Sequence, residues 1–112
     1  MPLNFRIAAN IGFALLPLSL AAQQRSVEYD VSFPNAAQHE ARVVVTFHGV
    51  SRGTTLEARM SRSSPGRYAI STFAKNVYDV TASDGKGRTL EITRPDTHGW
   101  SVRGHDGTVR IS

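Results

Sequence analysis

The residues of this chain that could do chemistry are few, and their spacing is more telling than their types. His39-Glu40 is the strongest candidate for metal chemistry. Zinc hydrolases of the HExxH type place two histidines four residues apart on one helical face, with the glutamate between them as base. Here the run reads HEARV, so Val43 stands where the second histidine belongs. The run also enters a stretch patterned for a strand, where helical spacing has no use. It is rejected as a zinc motif. Asp96, His98, His105 and Asp106 lie near one another late in the chain. Imidazole and carboxylate both ligate metals, but the simpler reading is polar residues holding two turns. His48, between an apolar run and Gly49, reads as a strand-end residue.

Nucleophilic catalysis finds no better support. Ser61, Ser63 and Ser64 have no histidine nearby in sequence and no strand-turn-helix glycine elbow around them. Cysteine is absent altogether. The stretch SDGKGR lacks the spacing and the following helix of a phosphate-binding loop. In SRSSPGR, Arg62 and Arg67 flank Pro65-Gly66. Two guanidinium groups so placed can clamp a carboxylate through bidentate bonds. The alternative is a proline-glycine turn flanked by solvated charges.

The elements that must position these residues read as short strands. SVEYDVSF alternates Val27, Tyr29, Val31 and Phe33 with polar neighbours, the period-two pattern of a half-buried strand, and Pro34 ends it. EARVVVTFHGV and TTLEARM continue in the same manner. NVYDVTA and RTLEITR flank SDGKG, whose Asp84-Gly85 is a hairpin signal because glycine accepts positive φ. WSVR and TVRIS flank GHDG in the same way, with Asp106-Gly107 at the turn. A single helical turn competes only in YAISTFAK, through Ile70, Phe73 and Ala74. Seven short strands at regular spacing predict an all-β, antiparallel sandwich-like domain. TVRIS runs to the last residue, which predicts a domain incomplete at its carboxyl end or a strand seeking a partner.

The chain has 112 residues, about one small domain. Its opening does not belong to the β-pattern. Arg6 precedes the apolar run IAANIGFALLPLSL and the small residues of SLA, which together predict a signal peptide over residues 1–22. An amino-terminal anchor or a mistaken start codon is the competing reading. The run is too short and interrupted for a stable membrane span. The β-domain then occupies residues 23–112. Export without disulfides fits a periplasmic or secreted bacterial protein. The net charge of +4 is scattered, with no block of like charges, which argues against nucleic acid as a partner.

One set of motifs goes further. MSRSSPGRY followed by FAKNVYDV, with YDVSFPNAAQHEARV before them and DGKGR, LEITRPD and Trp100 after them, resembles the amino-terminal domain of the glycyl aminopeptidase family. These are zinc metallopeptidases of peptidase family sixty-one, and the resemblance spans roughly Val27 to Ser112. It implies a layout of an all-β domain, a thermolysin-like catalytic domain carrying an HExxH zinc helix, and a PDZ domain. Only the first has a counterpart here, so no catalytic or zinc-binding residue is carried over, and zinc is expected in the catalytic domain alone. Family members carry a polar or charged pair between the GRY and FAKNV segments. Here that segment reads AIST, with Ser71 and Thr72, which puts any substrate contact there in doubt.

The resemblance implies a non-catalytic amino-terminal β-domain of a secreted zinc aminopeptidase. Its partner is the catalytic metallopeptidase domain, and peptides are met only indirectly. Arg62, Pro65, Gly66, Arg67 and Tyr68 are the residues expected at the contact between domains. A second reading is a stand-alone periplasmic binding module that recruits a partner by adding a strand to its exposed last strand. A third is a degenerate gene product without a stable fold.

Overall fold

A computed structural model describes residues 24–112. The expected signal peptide, residues 1–22, lies outside the described residues. Among the described residues eight strands form, all paired antiparallel: β1 (Ser26–Ser32), β2 (Arg42–His48), β3 (Leu56–Arg59), β4 (Ala82–Asp84), β5 (Thr89–Leu90), β6 (Ile92–Thr93), β7 (Gly99–Val102) and β8 (Val109–Ile111). Two short 3-10 turns, Ala36–Gln38 and Phe73–Asn76, interrupt them. The strands make a five-stranded sheet in the order β1-β2-β8-β4-β5 and a three-stranded sheet in the order β3-β7-β6. The all-β antiparallel expectation holds.

Period-two alternation explains how the sheets pack. In an antiparallel pair, residues directly opposite share a face. One such row crosses the large sheet as Tyr29, Val45, Ile111, Ala82 and Leu90. A matching row on the small sheet is Leu56, Val102 and Ile92. Ala82, Leu90, Val102 and Val109 form the buried core, with Phe47, Leu56, Ile92 and Ile111 packed against it. Both sheets contribute, so the core lies between them. Each fully buried valine stabilises the fold by about 1.5–3 kcal/mol.

The small sheet covers only one end of the large one. Along the first row, Leu90 and Ala82 are buried, Ile111 and Val45 are half-buried, and Tyr29 is 71% exposed. The whole of β1 is exposed. The half-buried β1 expected from its alternation is therefore corrected: its apolar parity faces the right side of the sheet but reaches beyond the cover.

Four further expectations are revised. The run Asn76–Ala82 is not a strand. Ala74 is completely buried and anchors the 3-10 turn, and Asp79 at φ +54 breaks the extended path before β4. The run Arg88–Arg94 is not one strand either, because the chain changes sheets at Glu91. WSVR and TVRIS do not form a hairpin, since β7 and β8 belong to different sheets. And β8 is no edge. It lies between β2 and β4, and Ser112 and Thr81 exchange both backbone bonds at 3.0 Å. The last strand is therefore not available to a partner. The free edge of this sheet on that side is β1.

Candidate interdomain interface

The segment after β3 leaves the sheets as a closed loop. The Ser71 N–H donates to the Arg62 carbonyl at 2.7 Å, which ties the base of the loop. Within it, the Arg67 N–H donates to the Ser64 carbonyl at 3.1 Å across Pro65 and Gly66. Gly66 has φ +77. Proline second and a positive-φ glycine third is the residue pattern of a type II turn, as the sequence led us to expect. The Ser61 hydroxyl donates to the Ser63 carbonyl at 2.8 Å and stiffens the entry.

This bracing presents side chains outward. Arg62, Pro65, Gly66, Arg67 and Tyr68 are all exposed, and Ile70 beside them is 73% exposed. Tyr68 is as open as a tyrosine in an extended peptide, at 108%. Among the described residues, no ion pair or side-chain hydrogen bond engages the guanidinium of Arg62 or Arg67. The braced loop thus carries two cations, a tyrosine and an isoleucine into solvent.

A second exposed feature adjoins β1. Where the small sheet stops, an open groove of about 840 Å³ runs between the large sheet and the segment before β4. Tyr29, Val43 and Val45 floor it, and Met60, Trp100 and Tyr78 wall it. The sequence reading missed this groove, because alternation says which parity is apolar but not whether anything covers it.

The groove's rim joins two of the motif segments quoted above. Asn35 donates through Nδ2 to Glu40 Oε2 at 2.9 Å. Tyr78 lines the same rim, and Tyr78 and Asn35 together hold Glu40 below the usual carboxylate range. Glu40 in turn raises the phenol of Tyr78 above its ordinary value. YDVSFPNAAQHEARV and FAKNVYDV, far apart in sequence, thus meet at this rim. No spacing rule links positions 40 and 78, so the pair was not legible beforehand.

Of the residues weighed for metal chemistry, the side chains of His105, Asp106 and Asp96 are spent on the backbone, whereas His98 keeps a buried Nδ1 with no hydrogen-bond partner. His105 accepts the Gly107 N–H at Nδ1 (3.2 Å) and lies 2.7 Å from the Thr54 carbonyl at Nε2. Nδ1 is thereby the acceptor and Nε2 the donor. Asp106 Oδ1 accepts the N–H groups of Gly85 and Thr108 at 3.2 and 3.1 Å. Asp96 Oδ1 accepts the His98 N–H at 2.7 Å. Among the described residues, no group of three or more such side chains is placed to hold a metal ion. His39 closes the first 3-10 turn at φ +58. No helix among the described residues is long and apolar enough to cross a membrane.

The fold defines a β-sandwich module of two antiparallel sheets with its core between them. The family pattern described as the peptidase M61 N-terminal domain matches residues 28–112, and the chain belongs to that family. No curated protein and no solved structure matches it. The match makes the chain an accessory domain of a peptidase M61 protein.

Proposed function

We propose that this chain is the non-catalytic amino-terminal β-domain of a secreted zinc aminopeptidase, and that it supports peptide hydrolysis by docking on the catalytic domain. The family match over residues 28–112 carries the reading. The presentation of Arg62, Arg67 and Tyr68 on a braced loop supports it. In this reading the loop is the contact between domains, with the two guanidinium groups bonding carboxylates or carbonyls across it. Zinc and the catalytic glutamate reside in the partner domain, and the bacterial periplasm or medium is the compartment. Substrate peptides meet this domain only through the active site it helps to support.

The test uses a full-length peptidase M61 protein carrying this domain. Arg67→Glu is expected to weaken the interdomain contact, lowering the melting temperature and the aminopeptidase rate together. Unchanged stability and activity overturn the loop as the docking element.

A further inference from the structure

We propose that the free edge of β1 is a strand-addition site for an extended peptide of a separate polypeptide, one whose residues alternate between apolar and basic. The site shares no residue with the Arg62–Ser71 loop, and the proposal does not depend on the interdomain reading.

An edge strand offers a row of unpaired N–H and C=O groups, and proteins normally blunt it with lysine, proline, a bulge or short length. Charged side chains serve the same end, and β1 carries two, Glu28 and Asp30, but it has no lysine, proline or bulge and is not short. It is seven residues long, contains neither lysine nor proline, and keeps an unbroken register with β2 from Ser26↔His48 to Ser32↔Arg42. Its other edge has no partner among the described residues. The remaining edge strands are poorer templates. β5 and β6 have two residues each, and β3 has four, with Arg59 3.9 Å from Asp96.

The two faces of β1 say what the incoming strand must carry. On the groove side stand Val27, Tyr29 and Val31, each roughly half or more exposed. On the other side stand Glu28 and Asp30. Basic side chains share that face, but among the described residues none hydrogen-bonds either acid. His48 Nε2 lies 3.2 Å from Glu28 but without the alignment of a hydrogen bond. Arg42 is diagonal to Asp30 on β2, and Arg110 on β8 continues the row of Glu28 and Thr46; both line the same concavity as the two acids. No ion pair joins Asp30 to any cation among the described residues.

Cross-strand neighbours directly opposite attract when oppositely charged and repel when alike. A second copy pairing antiparallel about Tyr29 would set Glu28 against Asp30 twice, so this edge disfavours its own copy in the centred register. A strand with lysine or arginine opposite Glu28 and Asp30 satisfies both. Its alternate residues then lie beside Val27, Tyr29 and Val31 and extend the apolar floor.

The experiment titrates the full chain with two capped peptides, KVKVKVK and EVEVEVE, by calorimetry and by amide NMR. KVKVKVK is expected to bind about tenfold more tightly, the sum of two favourable pairs against two unfavourable ones. Its amide shifts are expected within Ser26–Ser32. The double variant Glu28→Lys, Asp30→Lys is expected to invert the preference. If that variant does not fold, the wild-type preference is followed into about 0.5 M salt, where screening should erase it. Equal binding of both peptides, shifts centred elsewhere, or a β1-paired dimer that takes up neither peptide overturns the proposal.

Discussion

Two ends of this small sandwich use similar residues to opposite purposes. At the end formed by Asp84, Arg88, His105 and Asp106, every side chain that could do chemistry is turned onto the backbone. Asp84 is buried, accepts the N–H groups of Lys86 and Arg88 at 3.0 and 2.9 Å, and pairs with the Arg88 guanidinium at 3.0 Å. Arg88 then reaches the Gly104 carbonyl at 3.2 Å. At the other end, Arg62, Arg67, Tyr68 and Tyr29 stand in solvent. The difference teaches that charge and aromatic content do not locate function by themselves. A cation whose donors are spent on the fold is structure, and one held out on a braced loop keeps its donors unspent.

Breaking the closed end should cost most. Leu90→Ala removes a core side chain between the sheets and is expected to destabilise the chain by about 2–5 kcal/mol, read from denaturant unfolding. Asp84→Ala strips a buried carboxylate from two amides and a guanidinium. The expected loss is about 2–3 kcal/mol, and a loss under half that would mean water replaces the carboxylate. His105→Ala leaves the Thr54 carbonyl and the Gly107 N–H without their partner and should cost about 1–3 kcal/mol. At the open end, Tyr68→Ala should change the stability of the chain alone by no more than about 0.5 kcal/mol. A large effect there would erase the contrast between the two regions.

Acid sharpens the same contrast. Backbone amides, Gly85 foremost, hold the Asp106 carboxyl below its ordinary range, and the His98 amide does the same for Asp96. A carboxylate with a depressed folded pKa contributes stability above its unfolded value and loses it as pH falls through the folded one. The melting temperature is therefore expected to drop on acidification below about pH 4, and Asp106→Asn to flatten that drop. The same acid limb in the variant would show that Asp106 does not contribute it.

Much of the fold was legible because alternation is local. β1, β2, β3 and the Asp84–Arg88 hairpin follow from parity and turn residues in the sequence. Even there a detail moved. Gly87, not Gly85, takes positive φ, at +81. Gly85 is needed for closeness instead, because a Cβ there would lie 3.2 Å from Asp106 Oδ2 and from Thr108 Cβ. What stayed hidden was which sheet a strand joins. Thr89–Leu90 and Ile92–Thr93 look like one strand, since parity is unchanged by a switch of sheets at Glu91. Arg94 is a second case. It stacks over Trp100 at 5.1 Å and donates to the Ala74 and Thr97 carbonyls, pinning the Phe73–Asn76 turn across a gap in sequence. The Pro65-Gly66 turn was legible because its φ requirements are written in two adjacent residues. The groove was not, because coverage is a property of the other sheet.

The central claim is that the Arg62–Ser71 loop is held in readiness for the peptidase domain while the Asp84–Asp106 end serves only the fold. Amide hydrogen exchange, compared between this chain alone and the same domain within a full-length peptidase M61 protein, tests it most directly. The expected result is strong added protection across residues 62–71 in the full-length protein, with residues 84–88 and 104–108 unchanged. Equal exchange of the loop in both would contradict it.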